Sequence, residues 1–110
     1  MDGEQREETW RDFRELVNMS PAELEEWLAS GRSQDAGQRP DGGESTGHAS
    51  GRRIVAILRA RKGDLTDDDY QHMRKVVGYV RRHLAQRPSG DVRDTRWRYS
   101  LMNWGHDPLG

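Results

Sequence analysis

TDDDYQHMRKVVGYVRRHLAQRP, residues 66–88, is the stretch on which the fold turns. Tyr70, Met73, Val77, Val80 and Leu84 recur at spacings of 3, 4, 3 and 4, the period of an α-helix with one buried stripe. Thr66 is placed to cap the first turn, and Asp67, Asp68 and Asp69 complement the positive end of the helix dipole. Arg87 and Pro88 close the element, because a residue before proline avoids the helical region. The same helix carries a second stripe. With Arg74 at 0°, Arg81, Ala85, Gly78, Arg82 and Lys75 fall within a sector of about 120°. Four cations flank two small residues there, so a polyanion backbone can approach the helix closely while the cations reach its phosphate oxygens. The plainer alternative is a solvated amphipathic face.

Outward from this helix the chain reads as helical on both sides. Upstream, a helix is expected from Ser50, with Ile54, Val55, Ile57 and Leu58 inside and Lys62-Gly63 at its end. Downstream, a short helix from Asp94 or Thr95 to Trp104 places Trp97, Leu101 and Trp104 on one side, with Gly105 beyond it. Near the N-terminus, Trp10, Phe13, Leu16 and Val17 share one helical face. Ser20, Pro21 and Glu23 then supply an N-cap, a first-turn proline and a capping-box partner ahead of Leu24, Trp27 and Leu28. These two short helices need a packing partner, either each other or the later segment. Between the halves, SGRSQDAGQRPDGGESTGHA, residues 30–49, has no aliphatic residue larger than alanine and reads as a flexible linker. The expectation is an all-α bundle of about five helices: an acidic helical hairpin over 1–30, a Gly-rich linker over 31–49 and a basic helical core over 50–110.

Composition narrows the function classes. The chain has 110 residues, 32% hydrophobic and 34% charged, and Leu, Ile, Val and Phe together number 17. So few large apolar residues suit a small core rather than a layered enzyme pocket. No run approaches the roughly 18 apolar residues of a membrane span, and MDGEQREETW lacks the basic-then-apolar pattern of a secretory signal. Without cysteine there is no disulfide, thiolate zinc site or thiol nucleophile, and the expected address is cytoplasmic. The net charge of -1 conceals a split, with -7 over residues 1–46 and +6 over residues 47–110. Sixteen of the eighteen cations are arginine, whose planar fork suits phosphate and carboxylate, although a GC-rich coding bias gives the same composition.

Ser50 and Gly51, followed by Arg52 and Arg53, put a hydroxyl, a glycine and two guanidinium groups at an expected helix start, a phosphate seat in form. An ordinary N-cap with two exposed arginines is the alternative. Arg87, Arg93, Arg96 and Arg98 extend the positive charge, interleaved with Trp97 and Tyr99, which serve either as core or as stacking platforms. The histidines His48, His72, His83 and His106 lack metal-ligand spacing, and no cofactor or metal is expected. His72, Val76, Tyr79 and His83 share a half-polar packing face of the long helix. His106-Asp107 resembles an acid/base pair in form, but neighbours in a turn more often hold the turn. No phosphate loop or nucleophile elbow is present, so an enzyme is not expected.

The blocks SGRRIVAIL (50–58), LTDDDYQHMRKVVGYVRRHLAQRP (65–88) and TRWRYSLMNWGHDP (95–108), preceded by VNMSPAELEEWL (17–28), resemble the small bacterial domain-of-unknown-function family 3140. The resemblance covers most of the chain outside the linker. It implies no catalytic residue, and some members of the family carry a DNA-binding label. Together these readings favour a DNA binder with little sequence readout, nucleoid-associated in that case. The arginine faces would be Arg52, Arg53, Arg74, Lys75, Arg81, Arg82, Arg96 and Arg98, modulated by the acidic half. The alternative is an adaptor, without nucleic-acid binding or catalysis, whose acidic hairpin and basic half each meet a protein partner.

Overall fold

A computed structural model describes residues 1–36 and 45–110. Among these residues the chain forms six α-helices and no strand: α1 (Gly3–Leu16), α2 (Pro21–Leu28), α3 (Gly31–Ala36), α4 (Thr46–Arg59), α5 (Asp67–Leu84) and α6 (Arg96–Asn103). A 3-10 turn, Lys62–Asp64, joins α4 to α5.

The helix starts follow local chemistry. Asp2 and Gln5, Ser20 and Glu23, and Thr66 and Asp69 close reciprocal capping boxes on α1, α2 and α5, so each N-cap side chain and each partner side chain satisfies a backbone N–H. Thr95 caps α6 by accepting from the Arg98 N–H. At the other end of α6, Gly105 takes φ 81°, where the His106 N–H donates to the Leu101 carbonyl at 3.0 Å and the Gly105 N–H to Met102 at 2.9 Å. That pairing is a Schellman stop, and it needs the left-handed conformation that glycine tolerates.

The N-terminal helices bury their apolar faces against the later ones: α1 lies along α5 and α2 along α4, while α6 touches α2, α3, α4 and α5. Phe13 and Leu24 are fully buried in the same cluster as Ile54, Met73, Val80 and Leu101. Acidic residues of the first half also meet cations of the second, through Glu7 with Lys62, Asp12 with Arg81 and Glu25 with Arg59. The linker expected over 31–49 is corrected at both ends. Residues 31–36 form α3, because Ser30 Oγ accepts from the Ser33 N–H and Ser33 is fully buried against Asn103. Polar burial of this kind leaves no hydrophobic period to read. Residues 46–49 form the first turn of α4, capped by Ser45 rather than Ser50. The remaining part, 37–44, lies outside the described residues. The end of α4 also moves, to Arg59, ahead of the Lys62-Gly63 pair.

Asn103, almost fully buried, ties three helices together. Its Oδ1 accepts from Trp27 Nε1 at 2.8 Å and from the Ser33 hydroxyl, and its Nδ2 donates to the Ser33 carbonyl at 3.2 Å. Every hydrogen-bonding direction but one is used, so a buried amide costs little here and fixes the register of α2, α3 and α6.

Candidate nucleic-acid interface

Arg74, Lys75, Arg81 and Arg82 are all exposed on α5. Helical geometry sets Gln71, Arg74, Lys75, Gly78 and Arg82 opposite the buried Met73, Val76 and Val80. Their surroundings divide them. Arg81 Nη2 lies 3.6 Å from Asp12 on α1, so part of its charge is matched. Arg74, Lys75 and Arg82 reach no carboxylate at ion-pair distance among the described residues, and neither does Arg96, exposed at the first position of α6.

The other expected site residues separate. Arg52 and Arg53 are adjacent on α4 and therefore about 100° apart. Arg53 turns toward α5, where its Nη2 lies 3.5 Å from Asp69, whereas Arg52 lines a groove against α2 with Glu25, Leu28, Ala29, His48 and Val55. Arg98 is corrected outright. Its Nε and Nη2 each donate to Asp107 at 3.1 Å and its Nη1 to the Arg93 carbonyl at 2.9 Å, leaving 22% of the side chain exposed. The bond to Asp107 holds the Arg98 guanidinium protonated above its usual range. Burial alone would raise the Asp107 carboxyl, but hydrogen bonds from Arg98 and the Leu109 N–H outweigh it and hold that group low. This fork is a structural clamp on the segment after α6.

Ser50 and Gly51 are also corrected as a phosphate seat at a helix start. Both are buried one turn inside α4. The Ser50 hydroxyl shares a hydrogen bond of 2.9 Å with His72 Nε2, and a Cβ on Gly51 would stand 2.5 Å from the Asn103 carbonyl oxygen. Gly51 is small so that α4 can cross α6 backbone to backbone.

The histidine and aromatic face of α5 is packed. Tyr79 stacks on Trp104 with centroids 4.1 Å apart and on His83 at 4.0 Å, and His72 stacks beyond Trp104 at 6.3 Å. Burial, followed by the charges of Arg53 and Lys75, pushes His72 down to about 4, so it is neutral at pH 7. Burial also lowers His83, whose Nδ1 is enclosed without a hydrogen-bond partner among the described residues. Trp97 and Tyr99 are engaged rather than free for bases. Trp97 Nε1 donates to the His83 carbonyl at 2.6 Å under the Arg87 guanidinium, and Tyr99 packs on Trp27 and donates to Asp94. His106 Nδ1 donates to the Leu16 carbonyl at 2.6 Å, which makes the His106-Asp107 pair part of the same clamp. Among the described residues no group of three His, Asp or Glu side chains could hold a metal ion, and no helix is long and apolar enough to cross a membrane.

The profile of the family described as protein of unknown function (DUF3140) matches residues 12–102. The chain belongs to the DUF3140 family. The matched range runs from the last turns of α1 to the penultimate residue of α6 and includes all of α5. No curated protein and no solved structure matches the chain. The acidic partners of Lys62, Arg81 and Arg59 escaped sequence reasoning, since ion pairs separated by 34 or more positions leave no periodic trace.

Proposed function

We propose that the protein binds nucleic acid, chiefly DNA, through the exposed face of α5, without catalysis and with little sequence readout. One observation carries this reading: acids of the N-terminal helices match the cations they reach, yet among the described residues Arg74, Lys75 and Arg82 on one helix face have no carboxylate partner. Such a concentration of unmatched charge favours a partner with regularly spaced anions. Gly78 between these cations leaves α5 low enough for a phosphate backbone to approach closely. Arg96 and Arg87, near the α5–α6 junction fixed by the Trp97 to His83 bond, extend the same charge. The three aspartates at the start of α5 repel phosphate there, so contact centres on residues 74–87.

The test is a mobility shift of an unrelated duplex against salt, with the parent and an Arg74→Ala, Lys75→Ala, Arg82→Ala triple variant. The expected result is a linear fall of log affinity with log salt, its slope shallower in the variant by about 0.9 for each phosphate no longer neutralised. Equal binding by the two proteins at every salt concentration would remove α5 from the interface. In that case the adaptor reading gains, through a groove between α2 and α6 with a Trp27, Met19 and Met102 floor and Glu23 and Glu26 beside it. That groove suits a cationic side chain of a protein partner.

A further inference from the structure

The contact between α4 and α5 is a short ladder running along one groove. Arg53 faces Asp69 at 3.5 Å, and one step along Ser50 meets His72 at 2.9 Å. Further in the same direction, Ser45, Thr46 and Ala49 at the start of α4 line one groove together with Ser50, Arg53, His72 and the Lys75 of α5. The α5 positions 69, 72 and 75 advance by three as those of α4 recede, which sets the helices antiparallel along this edge. The rungs differ in charge. The first is neutral overall and the second is an uncharged hydrogen bond, but the third part of the groove is lined by Thr46 and by Lys75, which has no acid at ion-pair distance among the described residues.

We infer that this third rung seats one phosphate group of a nucleic-acid backbone, with Lys75 as its counter-charge and the Thr46 hydroxyl as a donor, Arg53 staying paired with Asp69 at its edge. The assignment rests on the reading of α5 as the nucleic-acid face and fixes where that backbone enters it. It stands on side chains from two helices that converge on one groove. The field at the groove floor agrees. Burial is the main reason His72 stays neutral, and the positive charges of Arg53 and Lys75 add to it, outweighing the attraction of Asp69. Only the part of that shift due to Arg53 and Lys75 marks a positive field that favours an anion. The groups facing His72 are Ser50 and Arg53 from α4, Asp69 and Lys75 from α5 and the Trp104 ring after α6. A bound phosphate adds a negative charge on the Lys75 side, so it favours the imidazolium and makes His72 a built-in reporter.

The experiment follows the His72 ring protons by NMR against pH in the full chain, free and saturated with a short mixed-sequence duplex at low salt. A parallel arm uses inorganic phosphate, and Lys75→Gln is measured throughout. The expected result is a duplex-bound His72 midpoint higher by about one pH unit or more. In Lys75→Gln the free midpoint rises because a cation has gone, duplex affinity falls, and the duplex no longer moves the midpoint further. If the duplex binds in a salt-dependent way while the His72 midpoint stays put, the seat is refuted and the α5 reading survives. A response to inorganic phosphate without duplex binding overturns both and assigns the groove to a free phosphorylated molecule. No response to either ligand also overturns both.

Discussion

Replacing Gly51 with alanine adds one methyl group at the crossing of α4 and α6. It would stand 2.5 Å from the Asn103 carbonyl oxygen and 2.7 Å from Leu28 Cδ2. Leu28 can turn, but the carbonyl belongs to the last turn of α6, which the buried Asn103 and Trp104 hold in place. Relief therefore means pushing α6 away, which opens the core around Leu101. Overpacking of this kind costs about 1–3 kcal/mol, against a gain of about 1 kcal/mol from alanine's better helix propensity. The net expectation is a destabilisation of up to about 2 kcal/mol, or a Tm lower by up to roughly 10 °C for a chain of this size. Gly78→Ala supplies the contrast on α5. Its nearest neighbour is the Arg82 guanidinium tip at 3.1 Å, which swings away freely, so this variant should melt a few degrees higher. Thermal melts by circular dichroism at fixed salt decide the matter. If Gly51→Ala melts at or above the parent with an unchanged cooperative transition, the close backbone crossing is refuted, and Gly51 returns as a candidate ligand contact.

Stability should rise between about pH 4 and pH 6.5, because His72 is held neutral in the fold and gains a proton in the unfolded chain over that window. The contribution, about 2–3 kcal/mol after allowing for partial exposure, is complete above pH 6.5 and disappears toward pH 4, and His72→Gln should reduce the pH dependence of denaturant midpoints. Asn103→Ala strands Trp27 Nε1 and the Ser33 hydroxyl; a destabilisation of about 2–4 kcal/mol with a shift in tryptophan emission is expected, and a near-neutral result would contradict the buried hub. Arg98→Ala should cost about 2 kcal/mol by breaking the Asp107 fork yet leave the salt slope of DNA binding unchanged, whereas Arg82→Ala should do the reverse.

The helices were legible where one residue type does one job. The 3–4 spacing from Tyr70 to Leu84, the Ser20-Pro21-Glu23 start and the Gly105 stop each signal locally, and the structure has them where the sequence places them. Two errors share a cause, because both arose where small polar residues are buried. Ser33 sits beneath Asn103, and Ser50 with Gly51 forms the α4 crossing, yet serine and glycine in sequence advertise loops and caps. The candidate interface was visible as a charge stripe on α5. Which of its cations are left unmatched was not, since that depends on which carboxylates tertiary packing brings up, as it brings Asp12 to Arg81. Arg98 misled for the same reason, as the carboxylate it grips comes from beyond the helix stop.

The turn between α1 and α2 is pinned to the segment after α6 at three points: the Asn18 side chain accepts from the Asp107 backbone N–H at 2.7 Å and donates to the Asp107 carbonyl at 2.8 Å, the Met19 N–H donates to the Gly105 carbonyl, and His106 donates to the Leu16 carbonyl. During synthesis these partners are born far apart in time. At roughly 5–20 residues per second, the first two helices wait on the order of 5–20 seconds for the residues that clasp them. Through that interval Phe13, Leu24 and Trp27 have no completed core to enter. The charge on those helices then acquires a use before folding: dense acidic side chains around the waiting apolar residues keep neighbouring nascent chains from sticking to one another. Assembly accordingly waits on the segment after α6, and a chain interrupted before Gly105 lacks the partners that clasp the α1–α2 turn.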